Sequence, residues 1–289
     1  MIVTITCNPA IDKIVYDNKT VFDIGGKGIN VSRTLKVLGY SSIATGFIGR
    51  NNKNIIIDKL NELNIDNHFI EVDGNIRTNT KNITNGFLTE ENENGPIIKV
   101  GDINRLFDYL NNHHNEIVII SGSISNNVDP KIYGKLIKLL KENNNYVIVD
   151  CAGDLLKYAI EAKPNIIKPN KKEICNYFNI EFDEKMIIEK CKDLGIDLIC
   201  VSLDSQGALF IGENVHKADA VDIDCVNSVG AGDAMVAAMA FSIENNYSIE
   251  DMIKLSVACS AANCTTINNS PADYSNIKQL INKVKIGKI

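Results

Sequence analysis

The residues with the clearest chemical potential stand in a glycine-containing stretch at positions 226–235. Its sequence is Val-Asn-Ser-Val-Gly-Ala-Gly-Asp-Ala-Met, so small residues lead up to a single carboxylate, that of Asp233. An apolar run follows and predicts a helix that begins here. The first turn of a helix leaves backbone N–H groups unpaired at the positive end of the helix dipole. Because Gly230, Ala231 and Gly232 have little or no side chain, we expect their N–H groups to bind an anion, most commonly phosphate.

Two roles are open to Asp233. Beside a bound phosphate, its carboxylate can take a proton from an attacking hydroxyl group. Alternatively, it does no more than place a negative charge at the N-terminus of its helix. A glycine motif this short does not separate the two roles by itself.

Length and composition exclude several classes of protein. The 289 residues are 45% hydrophobic and 23% charged, which is ordinary for one large globular domain. The net charge of −6 argues against nucleic acid as a partner. Because no apolar run approaches the ~20 residues that span a bilayer, and no signal-like segment is seen, we expect a cytoplasmic protein without a membrane partner. The eight cysteines form no CxxC pair, so neither a zinc site nor a disulfide framework is expected.

A second glycine loop, Gly-Gly-Lys-Gly-Ile-Asn-Val, occupies positions 25–31 and leads into a predicted helix over 32–38. Its spacing does not match GxxxxGK[ST], which excludes a P-loop NTPase. Upstream, Asp12 lies just beyond the predicted first strand, 2–6. Ligands of α/β sheets gather at the carboxyl ends of strands, although Asp12 taken alone is a turn residue.

Strands and helices alternate from residue 97 onward. This pattern predicts right-handed βαβ units and a parallel sheet with helices on both faces. The main predicted strands are 2–6, 41–48, 69–72, 76–87, 117–121, 146–150, 166–168 and 198–203. The main predicted helices are 52–63, 131–142, 155–162, 171–178, 185–194, 249–265 and 274–284.

Polar residues recur where a site would form. Asn170 and Glu173 are three residues apart and share a face of a predicted helix, so they suit Mg²⁺ held through water, a capping box, or both. Arg77, Asn79 and Lys81 alternate by two along a predicted strand and therefore point to one side. A solvated sheet face is the alternative interpretation of that second pattern.

Together, these strings resemble the signature motifs of the ribokinase-like (PfkB-type) sugar kinases. The similarity extends over essentially the whole chain, and the branch that it resembles contains 1-phosphofructokinase and tagatose-6-phosphate kinase. It implies an α/β fold of the ribokinase-like type, a three-layer sandwich with a mostly parallel central sheet. It further implies a single kinase domain over 1–289, with a small β lid formed by segments near 12–24 and 69–100.

The resemblance also implies a role for individual residues of this sequence. Implied for catalysis are Asp233 as general base and an anion hole from Gly230, Ala231 and Gly232. Implied for substrate binding are Asp12, Gly26, Lys27, Asn30, Arg77, Asn79 and Ser123. Implied for nucleotide binding are Lys168, Asn170, Ser202, Asp204, Gly207, Ser228 and Gly232. Asn170 and Glu173 are implied to organise Mg²⁺ through water, and an apolar slot is expected for adenine.

The implied activity is ATP- and Mg²⁺-dependent phosphorylation of a phosphosugar hydroxyl. A lysine at position 27 is typical of family members that act on phosphosugars, where it pairs with the phosphate already present; otherwise Lys27 is an exposed lysine in a turn. The expected acceptor is fructose 1-phosphate, which gives fructose 1,6-bisphosphate. The alternatives are tagatose 6-phosphate, an unphosphorylated sugar or nucleoside, and, in a different class, a non-catalytic sugar-phosphate-binding protein.

Three departures from the family pattern bear on these expectations. Ile-Ser-Asn-Asn follows Ser123 where Leu-Pro and a glycine are usual. The segment from Asp12 to Gly25 is short for this branch, in which it contributes to the lid and to a homodimer. Asp204 occupies a position where glycine is usual, and the 268–271 loop lacks a familiar glycine.

Overall fold

The computed structural model describes residues 1–16, 19–84, 87–267, 269–271 and 273–289. A ten-stranded sheet runs through the centre of the molecule. In spatial order its strands are β14 (Ile286–Lys288), β13 (Val215–Ala218), β12 (Ala208–Ile211), β11 (Leu198–Ser202), β10 (Ile166–Ile167), β9 (Tyr146–Asp150), β8 (Ile117–Ser121), β1 (Ile2–Thr6), β4 (Ser42–Gly49) and β5 (Asp66–Val72).

The strands from β11 to β5 are all parallel to their neighbours, and only β12, β13 and β14 run antiparallel at one edge. Every residue of β1 and β8 is buried. Such fully buried strands, made mostly of aliphatic residues, are typical of parallel sheets that are covered on both faces. The predicted mostly parallel central sheet is therefore confirmed.

Ten helices are present among the described residues. They are α1 (Lys27–Val37), α2 (Asn54–Glu62), α3 (Val100–Leu110), α4 (Ile132–Glu142), α5 (Gly153–Ala162), α6 (Lys171–Phe178), α7 (Glu184–Lys192), α8 (Ala231–Glu244), α9 (Ile249–Cys264) and α10 (Tyr274–Ile281). No helix in the described part of the chain has the length and hydropathy needed to cross a membrane.

Two apolar cores separate the helices into two layers. The core on one face joins the sheet to α3, α4, α5, α6 and α7. The core on the other face joins it to α1, α8, α9 and α10. Helix, sheet and helix therefore form the predicted three-layer sandwich.

A separate four-stranded sheet lies beside the carboxyl end of β1. Its strands in order are β3 (Lys19–Gly25), β2 (Ala10–Tyr16), β6 (Arg77–Thr84) and β7 (Phe87–Asn92). A third apolar cluster, which includes Ile11, Ile24, Ile29 and Ile76, fixes this small sheet against α1 and α2. The chain enters it directly from β1 and leaves it directly into α1, so the small sheet adjoins the edge where a ligand would bind.

The small sheet differs in detail from the sequence-based expectation. Asp12 lies within β2 and not in a turn after the first strand. β5, which covers the predicted strand 69–72, pairs with β4 in the large sheet. Asp17, Asn18, Asn85 and Gly86 fall inside the predicted lid segments but lie outside the described residues.

Candidate active site

Two helix N-termini meet at the carboxyl edge of the large sheet. α1 begins after Gly26 (φ 117°) and α8 after Gly230 (φ 85°), both in the backbone region that favours glycine. The two helices pack against each other. Across this contact, Asn30 Nδ2 donates a hydrogen bond of 2.8 Å to Asp233 Oδ2. The two glycine loops found in the sequence therefore form one site.

Asp233 is only 5% exposed at the start of α8. Burial raises the pKa of its carboxyl group well above the ordinary value, and the negative charge of Asp150 raises it further. The positive charge of Lys27 and the hydrogen bond from Asn30 act in the opposite direction without cancelling the effect of burial. A carboxylate with a raised pKa is a stronger base than an ordinary one, which suits proton abstraction.

Asp150 is a site residue that the sequence analysis missed. It ends β9, is 1% exposed, and lies 3.0 Å from Lys27 Nζ and 3.5 Å from Lys168 Nζ. Although burial alone would raise the pKa of Asp150, the two lysines hold it below the ordinary value, so the carboxylate is ionised. Its position at the carboxyl end of a predicted strand made it a candidate for ligand binding, although that signal does not rank it above other acids.

The two lysines hold positive charge beside Asp233 and its helix. Burial by itself lowers the pKa of Lys27, but the carboxylates of Asp150 and Asp233 raise it above the ordinary value. A Cβ atom placed on Gly232 would lie 2.9 Å from Lys168 Nζ. The ammonium group of Lys168 is thus next to the N–H groups at the start of α8, where an anion is expected.

A chain of hydrogen bonds connects the small sheet to the rest of the site. Arg77 donates to the carbonyl oxygen of Asn8 (3.2 Å) and to Asn79 Oδ1 (3.1 Å), and Asn79 Nδ2 donates to Asp12 Oδ1 (2.9 Å). Asn269 Nδ2 donates to the other oxygen, Asp12 Oδ2, at 2.9 Å. Asn269, which the sequence analysis did not assign to this group, therefore links the loop after α9 to the small sheet.

Two further residues of the predicted substrate set lie nearby. Gly26 is crowded, since a Cβ atom there would lie 2.8 Å from Thr6 Cγ2. Ser123 is exposed on the loop after β8, and Asn8 Nδ2 lies 3.5 Å from its Oγ. Burial raises the pKa of Asp12 above its ordinary value, and the hydrogen bond from Asn79 offsets only part of this rise.

Asn170 and Glu173 form a reciprocal capping box at the start of α6. The Asn170 N–H donates to Glu173 Oε2 and the Glu173 N–H donates to Asn170 Oδ1, both at 2.8 Å. Asn170 also forms a parallel bridge with Ser202 at the end of β11. The capping interpretation is confirmed, and two residues of the predicted nucleotide set are adjacent.

The turn after β11 explains why glycine is usual at position 204. Asp204 has φ 51°, in the left-handed region that favours glycine. Gly207 has φ 93°, and a Cβ atom there would lie 1.9 Å from the carbonyl oxygen of Ala218. Glycine is thus required at position 207, whereas aspartate tolerates the backbone at position 204.

Three exposed aliphatic side chains border Ser228. Val226 is 59%, Val229 36% and Ile267 70% exposed. Their segments are held together by hydrogen bonds from Asn227 Nδ2 to the Ile267 carbonyl (3.3 Å) and from Asn263 Nδ2 to the Val229 carbonyl (2.7 Å). We call Val226, Val229 and Ile267 the apolar slot; Asn268, the next residue along, lies outside the described residues.

Known proteins resemble this chain over almost its whole length. The family model described as pfkB family carbohydrate kinase matches residues 2–273. A 1-phosphofructokinase of Borreliella burgdorferi is 34% identical, with 100% of this chain and 99% of the relative covered, and one of Bacillus subtilis is 33% identical, with 100% of each covered. A crystal structure of a phosphofructokinase from Staphylococcus aureus, 33% identical, superimposes with a TM-score of 0.89 over 100% of this chain and 99% of the other. The chain belongs to the pfkB family of carbohydrate kinases, as the sequence motifs predicted.

Proposed function

We propose that this kinase transfers a phosphoryl group from ATP to fructose 1-phosphate and produces fructose 1,6-bisphosphate. The observation that carries the proposal is Asp233, a buried carboxylate at a helix N-terminus, hydrogen-bonded to Asn30 and flanked by the positive charges of Lys27 and Lys168. The acceptor follows from two full-length relatives that are named 1-phosphofructokinase.

Asp233 is proposed to remove the proton from the acceptor hydroxyl. Its raised pKa brings its basicity closer to that of a base suited to neutral pH. Asn30 donates to one carboxylate oxygen and so fixes the orientation of the carboxyl group. The other oxygen is then available to the hydroxyl that attacks.

The N–H groups at Gly230–Gly232 are proposed to stabilise the phosphoryl group during transfer. They lie at the positive end of α8, and the ammonium of Lys168 adds a full charge next to Gly232. Preorganised donors of this kind usually supply the largest catalytic contribution in phosphoryl transfer.

The phosphate already on the sugar is proposed to bind Lys27 and Arg77. Lys27 uses one of its three N–H donors for Asp150, and Arg77 uses two of its five for Asn8 and Asn79. Both side chains therefore keep donors for a phosphate without losing the bonds that position them.

The sugar hydroxyls are proposed to bind Asp12 and Asn30, with Gly26, Asn79 and Ser123 around them. Asp12 is an acceptor already oriented by Asn79 and Asn269. The small sheet carries Asp12 and Arg77, so we propose that it is the lid that covers the substrate and excludes competing water.

ATP is proposed to lie along the carboxyl ends of β10 and β11. Lys168, Asn170, Ser202, Asp204 and Gly207 follow these strands, and Ser228 with Gly232 continues towards α8. The apolar slot would receive the adenine base. Its aliphatic side chains support this proposal in a chain that contains no tryptophan to stack on the base.

Mg²⁺ fits this site through water and phosphate oxygens. No group of three or more His, Cys, Asp or Glu side chains within the described ranges could hold a metal directly. Glu173 keeps Oε1 outside the capping box and so presents one carboxylate oxygen to a hydrated cation. When bound, Mg²⁺ draws negative charge from the phosphate oxygens.

We further propose that the chain works as one kinase domain in the cytoplasm and forms a homodimer. All eight cysteines are free thiols, as in proteins of reducing compartments. β3 is an edge strand of the small sheet and exposes 62% of Phe22. A second copy that pairs at that edge would cover the ring of Phe22. Light scattering tests this dimer: the wild type should have the molar mass of two chains and Phe22→Lys that of one.

An assay of ADP release with ATP and Mg²⁺ tests the proposed reaction. The acceptors are fructose 1-phosphate, tagatose 6-phosphate, fructose 6-phosphate, free sugars and nucleosides. The proposal requires the highest kcat/KM with fructose 1-phosphate. A preference for tagatose 6-phosphate would show that this sugar is the acceptor. Activity on free sugars alone would refute the proposed binding of the sugar phosphate by Lys27 and Arg77. Ligand binding without turnover would show that the chain is a binding protein.

A further inference from the structure

Two of the eight cysteines, Cys225 and Cys264, are at least partly exposed and also lie close to the apolar slot. Cys225 is exposed and Cys264 is half-buried, whereas Cys7, Cys151 and Cys259 are buried. Cys225 directly precedes Val226 of the apolar slot, and Cys264 ends α9, three residues before Ile267 of the same slot. Each cysteine is thus close in sequence to a residue of the apolar slot.

The backbone brings these two cysteines together. The carbonyl oxygen of Cys264 accepts hydrogen bonds from the N–H of Val226 (2.7 Å) and the N–H of Asn227 (3.2 Å). The two thiols also affect each other, since Cys225 contributes to the rise in the pKa of the Cys264 thiol. Chain segments held this close, with side chains that influence each other, are a favourable starting geometry for a disulfide bond.

We propose that Cys225 and Cys264 form a reversible disulfide bond, which closes the apolar slot when the protein meets a peroxide. The inference rests on the proposed function only in assigning the slot to the nucleotide. The bond itself depends on the two side chains alone.

The chemistry begins at the exposed thiol. The sulfur of Cys225, as the thiolate, attacks one oxygen of hydrogen peroxide, the O–O bond breaks, and water leaves once the proton is returned, giving a sulfenic acid. The sulfur of Cys264 then attacks the Cys225 sulfur, the S–O bond breaks, and a second water leaves. The two thiols lose two electrons and two protons in total, and the peroxide is reduced to two waters. Burial raises the pKa of the Cys264 thiol, which makes it the slower of the two to react with peroxide.

The bond should act on the nucleotide more than on the sugar. A sulfur–sulfur bond is shorter than a contact between two thiols, so its formation draws Val226 towards Ile267. A narrower apolar slot admits the adenine base less well. We expect the dissociation constant for ATP to rise about tenfold or more, the order by which a methylene-sized change alters binding in an apolar pocket. Asp12 and Arg77 lie on the small sheet, so binding of the phosphosugar should change much less.

The test uses the full chain treated with hydrogen peroxide, then with dithiothreitol. Peptide mapping by mass spectrometry identifies the linked cysteines, and titration with a fluorescent ATP analogue measures nucleotide binding without turnover. Cys225→Ser and Cys264→Ser remove the two partners. Cys175→Ser is the matched control, because Cys175 is also half-buried but lies on α6.

The expected result is a Cys225–Cys264 link, weaker binding of the analogue by about tenfold or more, and full recovery with dithiothreitol. Cys225→Ser should be insensitive to peroxide, and Cys175→Ser should behave like the wild type. Absence of the link, or a link that leaves nucleotide binding unchanged, overturns the inference. A reduced protein that binds the analogue but phosphorylates no sugar refutes the proposed function instead and leaves this inference standing.

Discussion

Replacing Asp233 by asparagine separates a catalytic base from a helix-capping charge, because only the loss of a base lowers turnover strongly. The substitution keeps an oxygen that can accept the 2.8 Å hydrogen bond from Asn30 but removes the basic group. As a general base, Asp233 contributes roughly 10²–10⁴-fold to kcat. We therefore expect kcat of Asp233→Asn to fall by that factor while ATP still binds.

The stability of Asp233→Asn follows from the raised pKa of the wild-type carboxyl group. Above the raised pKa, the folded wild type holds a buried charge that water would solvate in the unfolded chain. Removing that charge should raise the free energy of unfolding by about 1–3 kcal/mol, the cost of burying an incompletely compensated polar group. If Asp233 served only to complement the helix dipole, the same substitution would lower stability by about 0.3–1 kcal/mol.

The pH dependence of stability is a second test of the buried charge of Asp233. Since the pKa of Asp233 is higher in the folded state than in the unfolded state, ionisation destabilises the wild type as pH rises. The stability advantage of Asp233→Asn should therefore be absent below the unfolded pKa and grow until pH exceeds the folded pKa. Urea unfolding at several pH values, together with kcat from ADP release, measures both effects.

Asp251→Asn is the matched control for this experiment. Asp251 is an exposed acid in the first turn of α9, hydrogen-bonded to Ser248. Its replacement should lower stability slightly and leave kcat unchanged. Turnover of Asp233→Asn within threefold or so of the wild type would refute the assignment of Asp233 as base. Loss of stability in both variants would refute the expected cost of the buried charge.

Three further predictions concern the groups around Asp233. Lys27→Ala should raise KM for the phosphosugar at least about tenfold and KM for ATP much less, since one charge-assisted phosphate contact is lost. Equal effects on the two KM values in steady-state kinetics would show that Lys27 does not bind the sugar phosphate specifically. Asp150→Asn should lower kcat and also move the acidic limb of the pH–rate profile to lower pH, because the charge of Asp150 raises the pKa of Asp233; a limb that stays in place would exclude this coupling. Gly25→Ala should raise KM for the sugar, because the new Cβ would lie 2.4 Å from Asp12 Oδ2 and displace that carboxylate; unchanged sugar kinetics would show that Asp12 does not contact the acceptor.

Most of the large sheet could be predicted because its strands carry continuous aliphatic runs. The predicted strands 117–121 and 146–150 and the predicted helix 171–178 have the same bounds in the structure. β12, β13 and β14 were not predicted. They are short strands of three or four residues that pair only with one another and with β11, so their stability depends on neighbours distant in sequence.

The residues of the candidate site likewise divide into those that the sequence could predict and those that it could not. Motifs on one continuous segment, such as Gly230 to Asp233, could be recognised because the helix start and the carboxylate are adjacent in the sequence. Asp150 could not be ranked above other acids, because its significance comes from Lys27 and Lys168, which approach it from two other segments. Asn269 was missed for the same reason, since it reaches Asp12 from the opposite end of the chain.

The most direct test of the proposed reaction is identification of the product by ³¹P nuclear magnetic resonance after incubation with ATP, Mg²⁺ and fructose 1-phosphate. If Asp233 activates the sugar hydroxyl, the wild type should form one fructose 1,6-bisphosphate for each ADP. The signals of fructose 1,6-bisphosphate and of ADP should both be lost in Asp233→Asn. Release of inorganic phosphate in place of the bisphosphate, or equal formation of bisphosphate by Asp233→Asn, would contradict it.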